Sequence, residues 1–164
     1  MIISLKNKHT LKVDDFYFKC CVGKHGLSRK KKEGDKKTPK GIFRIENLYF
    51  RKDRIKKPKT SLKCIEIKKN MGWCNDIKYP KRYNKLISKK HKSRHEKLKR
   101  NDNKYDLLIP IKYNFEKPLI GLGSCIFIHL TSNYSPTAGC IALKKKDFLI
   151  MLKLINKKTK IRIS

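Results

Sequence analysis

Apolar residues in this chain fall in short alternating runs more often than in helical stripes. Phe16, Phe18, Cys20 and Val22 share one face of an extended segment. Residues 1–6 and 10–13 read as short strands. Residues 23–40 are polar, rich in Gly and Lys, and close on Thr38-Pro39-Lys40-Gly41, a turn signal. Strands are predicted again over 42–50 and 62–68, and residues 70–84 read as irregular. The densely charged run 88–100 predicts a short helix on an insertion. Residues 105–113 are strand-like, but Pro110 demotes them to an edge or splits them. Residues 124–130 predict an apolar strand with Cys125, Phe127 and His129 on one face. Only 145–156 carries a clear helical period, with Phe148, Met151, Leu152 and Ile155 at i, i+3, i+4 and i+7. A last strand is predicted over 158–163. Many strands, one helix and long loops make a mainly β chain.

Size and composition narrow this picture. The 164 residues, 38% of them hydrophobic, suffice for a single domain spanning 1–164 and leave little room for a second. No stretch approaches the length of a membrane span. Met1-Ile2-Ile3-Ser4-Leu5-Lys6 is too short and too soon charged for a secretory signal, so no export segment is visible. The net charge of +31 has two readings. One is an anionic partner such as nucleic acid, acidic lipid or an acidic wall polymer. The other is drift toward Lys, Ile and Asn in an AT-rich genome. The lysines are scattered along the whole chain and do not alternate with aromatics, which favours drift. Either way, anionic polymers will be attracted non-specifically. The six cysteines include no CxxC pair and no zinc spacing, so a reduced state is the expectation for most of them.

Chemistry concentrates near the C-terminus. Thr137-Ala138-Gly139-Cys140-Ile141-Ala142-Leu143 places one cysteine after a glycine and before an apolar run, and His129 lies eleven positions upstream. A thiol becomes a useful nucleophile when an imidazole takes its proton, and a glycine lets backbone amides approach an oxyanion. The bland alternative for Cys140 is a buried core cysteine. The loop 131–138 leads from the strand end at His129 back to Cys140 and can bring the two side chains together.

Other candidates are weaker. Glu33, Gly34 and Asp35 ahead of Thr38-Pro39 form either a surface turn cluster or a salt-bridged loop. Trp73 is either core or the wall of a pocket. His91 and His95 are four apart, but no carboxylate or cysteine completes a metal site with them.

Several blocks taken together resemble a known family. Gly23-Lys24-His25-Gly26 and Glu33-Gly34-Asp35-x-x-Thr38-Pro39-x-Gly41-x-Phe43 are similar to the N-terminal block of the YkuD-type L,D-transpeptidase catalytic domain. Gly72-Trp73-Cys74-Asn75-Asp76, with Tyr83-Asn84, resembles the middle block of a short-chain branch. His95-Glu96-x-Leu98 and Tyr105-Asp106-Leu107 resemble the segment that follows. Ile128-His129-Leu130 and Thr137 to Leu143 resemble the catalytic block. The match is in order over roughly residues 20 to 163.

The resemblance implies two packed β-sheets forming a sandwich-like catalytic domain, with one helix in the C-terminal region and long loops. It implies transpeptidation of peptidoglycan tetrapeptide stems of the meso-diaminopimelate type, through a cysteine thioester, to give 3→3 cross-links. By the same resemblance Cys140 is the nucleophile and His129 the base. The Gly139 and Cys140 amides form the oxyanion hole, and the carbonyl of Leu130 orients the imidazole. Trp73, Thr137 and Asp35 are the substrate-binding candidates. Ala138 and Ala142 depart from the family pattern, which usually has His or Arg before the Gly-Cys pair and often Arg or Asn two residues after the cysteine. The His-to-Cys spacing is also shorter than in most members. Neither cofactor nor metal is expected, the chain is expected to act as a monomer, and its substrate lies in the cell wall or periplasm. Two other readings stay open. One is an L,D-carboxypeptidase or peptidase on the same stems. The other is a non-enzymatic basic module that binds nucleic acid or anionic glycan.

Overall fold

A computed structural model describes residues 1–29, 31–88 and 91–164. The chain opens as an antiparallel meander of β1 (Ile2–Asn7), β2 (Thr10–Val13) and β3 (Phe16–Cys21). Its alternating sequence turns Ile3, Leu5, Leu11, Val13, Phe18 and Cys20 inward. The polar loop that follows contains two short parallel strands, β4 (Leu27–Ser28) and β5 (Thr38–Pro39). The expected turn at Thr38-Pro39 is therefore partly extended. The strand predicted over 42–50 divides into β6 (Gly41–Arg44) and β7 (Leu48–Phe50), which lie far apart in the sheet order. Next come β8 (Cys64–Glu66), then β9 (Met71–Cys74), β10 (Leu86–Ser88) and β11 (His95–Lys97). The chain ends with β12 (Leu107–Pro110), β13 (Phe127–Leu130), β14 (Ile141–Leu143), α1 (Lys145–Leu154) and β15 (Lys160–Ile163).

Ten strands make one large sheet in the order β6-β15-β1-β2-β3-β14-β13-β12-β7-β8. The sheet curls back on itself. Ile45, just after β6, bridges to Ile111, just after β12, and the Lys112 amide donates to the Arg44 carbonyl at 2.8 Å. The two halves thus face each other as a β-sandwich, and their inner faces share one core with Phe148, Met151 and Leu152 of α1. The helix stops two residues short of the predicted end, yet Ile155 still packs into that core. Among the described residues no helix is long and apolar enough to cross a membrane.

The centre of the sheet positions the site. Strands β12, β13 and β14 are buried on both faces, so their sequences read as continuous apolar runs without alternation. Leu107, Ile109, Ile128, Leu130, Ile141 and Leu143 point into the sandwich core. Leu108, Phe127 and Cys140 join a second cluster with Tyr49, Trp73, Leu98 and Tyr105 on the opposite face. That face is covered by a separate three-stranded sheet, ordered β10-β9-β11.

The structure departs from four further local expectations. Residues 88–100 are not a helix: the described part carries β11, paired antiparallel to β9 (residues 89 and 90 lie outside the described residues). Its i,i+4 charge spacing suits a helix surface, but His95–Lys97 pair with β9 and the next residue, Leu98, is buried in the second cluster. Residues 70–84 are not wholly irregular, since β9 is the middle strand of the small sheet. Pro110 does not mark an edge. It ends β12, between β7 and β13, and its carbonyl accepts the Glu46 amide at 2.9 Å. A proline can stand there because it is the last residue of the strand. The strand predicted from residue 124 begins only at Phe127. Cys125 adopts φ 54, and its amide donates to Asn84 Oδ1 at 3.1 Å instead of joining a ladder.

Candidate active site

His129 and Cys140 come together through strand register. β13 and β14 are parallel, with Ile128 opposite Ile141 and His129 opposite Ala142. Since Ile128 and Ile141 face the sandwich core, His129, Ala142 and Cys140 face the other way. Both Cys140 and His129 line one cleft of about 610 Å³.

The imidazole is fixed. His129 Nδ1 donates to the Leu130 carbonyl at 2.8 Å, which leaves Nε2 with the free lone pair. The Tyr105 ring meets it edge-on, with centroids 5.3 Å apart. Burial lowers the His129 pKa to about 4; the Leu130 carbonyl opposes this, and Lys104 and Arg100 reinforce it. The ring is neutral at pH 7.

The thiol is also neutral at rest. Burial pushes the Cys140 pKa up to about 12, against the opposing pull of the Phe127 amide. That amide donates to Sγ at 3.3 Å, and the thiol donates to the Cys125 carbonyl at 3.2 Å. Gly139 makes the turn possible. Its φ is 136, and a Cβ there would lie 2.8 Å from the Lys37 carbonyl oxygen.

Thr137 locks this turn. Its hydroxyl donates to the Cys140 carbonyl at 2.6 Å and accepts the Gly139 amide at 3.1 Å. The Gly139 N–H is therefore already engaged. Thr137 also lines the cleft. Trp73 and Asp35 do not line it. Trp73 is buried behind Cys140, edge-on to Phe127 and Tyr49, with Nε1 donating to Asn84 Oδ1 at 3.0 Å. Asp35 organises its own loop, taking the Lys31 ammonium and the amides of Lys32 and Lys37. Burial would raise its pKa, but those donors together lower it. His91 and His95 each turn to Ser93, and among the described residues no cluster of His, Cys, Asp and Glu could hold a metal.

Residue patterning missed much of the cleft wall. Glu33 Oε2 accepts the hydroxyls of Tyr83 and, at 2.7 Å, Ser124. Glu96 Oε1 accepts Tyr105 at 3.0 Å and Arg100 at 3.1 Å. Arg94, Lys104 and Lys31 complete the charged lining. Glu33, Tyr83, Glu96 and Tyr105 all lie in the blocks that carry the family resemblance; nothing in their local spacing marks them as neighbours. Asn84 ties three chain segments together: its Oδ1 accepts Trp73 Nε1 and the Cys125 amide, and its amide nitrogen donates to the carbonyls of Tyr113 and Asn114.

A protein-family model, the L,D-transpeptidase catalytic domain YkuD, matches residues 1–163. The chain belongs to the YkuD family. Neither a curated protein nor a solved structure matches it. YkuD domains are L,D-transpeptidases, which supports a transferase, and the family implies peptidoglycan stem peptides as substrate. The match covers the blocks around both His129 and Cys140 and also the small sheet over the second cluster.

Proposed function

We propose that this YkuD domain is a cysteine-dependent L,D-transpeptidase that cross-links peptidoglycan stems 3→3 through a thioester on Cys140. The observation that carries the reading is the opening of Cys140 and a tautomer-fixed His129 into one cleft, from adjacent parallel strands. Substrate binding displaces the thiol from the Cys125 carbonyl toward His129. Sγ attacks the carbonyl carbon between the L-centre of meso-diaminopimelate and the terminal D-Ala, and the thiol proton passes to Nε2. The Cys140 amide is the oxyanion donor in this scheme, because the Gly139 amide is held by Thr137. As the C–N bond breaks, the imidazolium returns the proton to the leaving D-Ala amine and a thioester remains. The amine of a second stem then attacks the thioester, His129 takes its proton, and the thiolate leaves and is reprotonated.

High thiol and low imidazole pKa values favour the neutral pair at rest, so proton transfer is coupled to attack. Incubation with a disaccharide-tetrapeptide, followed by intact-mass analysis, tests the scheme. The expected result is an adduct on Cys140 with release of D-Ala, and no adduct in a folded Cys140→Ala variant. A turnover-competent Cys140→Ala protein overturns the assignment. D-Ala release without a cross-linked product in the presence of acceptor stems replaces it with the carboxypeptidase reading.

A further inference from the structure

Lys31 is a buried cation at the edge of the cleft with no part in the scheme above. Its side chain is 3% exposed, although most lysines of this chain lie at the surface. The aliphatic stem runs against Gly123, where a Cβ would meet Cε at 3.0 Å. The ammonium has three N–H bonds. One goes to Asp35 Oδ1 and one to the Lys37 carbonyl at 2.7 Å. Among the described residues no acceptor takes the third. The same Lys37 carbonyl oxygen lies 2.8 Å from where a Cβ of Gly139 would stand, which puts the group that the ammonium holds beside the Gly139-Cys140 turn. Lys31, Cys140 and His129 line the same cleft.

Among the described residues no side chain hydrogen-bonds the Cys140 thiol. Its hydrogen bonds go to backbone groups, and Gly139 offers no free amide. The charged and titratable groups around it are Glu96, Lys31, Cys21, Cys125, Tyr105 and the neutral His129. Lys31 shares the cleft with Cys140, and its positive charge favours the thiolate while Glu96 opposes it.

We propose that Lys31 is a positioning residue for the reaction. Its anchored ammonium holds the Lys37 carbonyl against Gly139 and supplies the fixed positive charge that stabilises negative charge as it develops on Cys140. Asp35 keeps the ammonium in place and tempers it. The proposal adds a residue to the mechanism proposed above and rests on Cys140 being its nucleophile.

The test uses iodoacetamide, with alkylation of Cys140 followed by peptide mass analysis from about pH 7 to 10 and Cys64 as an internal reference outside the cleft. In a folded Lys31→Met protein the Cys140 rate falls about tenfold at each pH, the effect of one pKa unit on thiolate fraction. The Cys64 rate stays as it was, and Lys31→Arg keeps most of the Cys140 rate. Unchanged Cys140 kinetics in folded Lys31→Met overturn the proposal. If Lys31→Met does not fold, Lys31→Gln decides, because it keeps a hydrogen-bond donor and removes the charge. Cys140 alkylation slows in folded Lys31→Gln, and a rate equal to or above the parent's overturns the proposal. No stem peptide enters this assay. Failure of the parent protein to form an acyl-enzyme therefore counts against the transpeptidase reading, whereas loss of the Lys31 effect counts against this one alone.

Discussion

Burial governs the two reacting side chains. The folded protein keeps His129 neutral down to about pH 4, while the unfolded chain binds a proton near the ordinary histidine value of 6.5. Between these two values the unfolded state holds more protons than the native state. Stability from this group is therefore fully present above about pH 6.5 and is lost as pH falls toward 4, a change of about 3 kcal/mol over the window. Melting temperature measured from pH 7 to 4 should fall more steeply in the parent than in His129→Gln, which has no such proton to bind. Equal slopes mean that the imidazole is not held neutral. The same variant separates partner from bystander, because His129→Gln should slow acylation of Cys140 at neutral pH several-fold or more. Identical acylation rates remove His129 from the mechanism. The pair was legible in the sequence because both residues sit next to strand ends and the loop between them is short. Lys31 was not legible, since one buried ammonium among 44 Lys and Arg residues carries no mark in the sequence.

Elements set how tightly these residues are held. The Gly139 turn is held by Thr137 within its own chain segment, and the Lys37 carbonyl oxygen lies where it leaves no room for a Cβ. Gly139→Ala forces a Cβ against backbone oxygen at a positive φ, with a cost of about 1–3 kcal/mol and displacement of the Cys140 amide. We expect a lowered thermal midpoint together with loss of the Cys140 acyl adduct; a variant of normal activity shows that the turn is not part of the oxyanion site. The small sheet acts from behind. Trp73 fills the space between β9 and Phe127, so Trp73→Ala should cost about 3–5 kcal/mol, read as a shift in urea midpoint. A loss below about 1 kcal/mol contradicts its place in the core. This sheet was the least legible part of the fold. Its three strands are only three or four residues long, and their pairing depends on contacts between residues far apart in the chain. The meander β1 to β3 and helix α1 were easier to read, because each has one buried and one solvated face and so shows its period. Strands β12 to β14 are buried on both faces, which hides the alternation but leaves recognisable apolar runs.

On the scale of the whole molecule, sandwich closure depends on single contacts such as Ile45 with Ile111, which no local pattern announces. Charge is a separate matter. The net +31 is spread over the chain, whereas the cleft combines the cations Lys31, Arg94, Arg100 and Lys104 with the carboxylates Glu33 and Glu96. Arg100 is spent on Glu96 and, bidentately, on Asp102, so the local balance is much nearer neutrality than the overall charge. Two kinds of binding should therefore separate by salt. Attraction to DNA arises from exposed lysines and weakens with a log–log slope of about −0.9 per neutralised phosphate. Acylation of Cys140 depends on groups held a few ångströms apart in a cleft, where screening by mobile ions is weaker. Raising salt from about 0.05 to 0.2 M should cut DNA affinity by orders of magnitude while leaving the rate of Cys140 acylation by a tetrapeptide stem within about twofold. The two measurements can be made on one preparation, by fluorescence anisotropy and by intact mass. Sequence-selective DNA binding that survives the higher salt, with no acylation at either, favours the basic-module reading and shows that the charge is more than compositional drift.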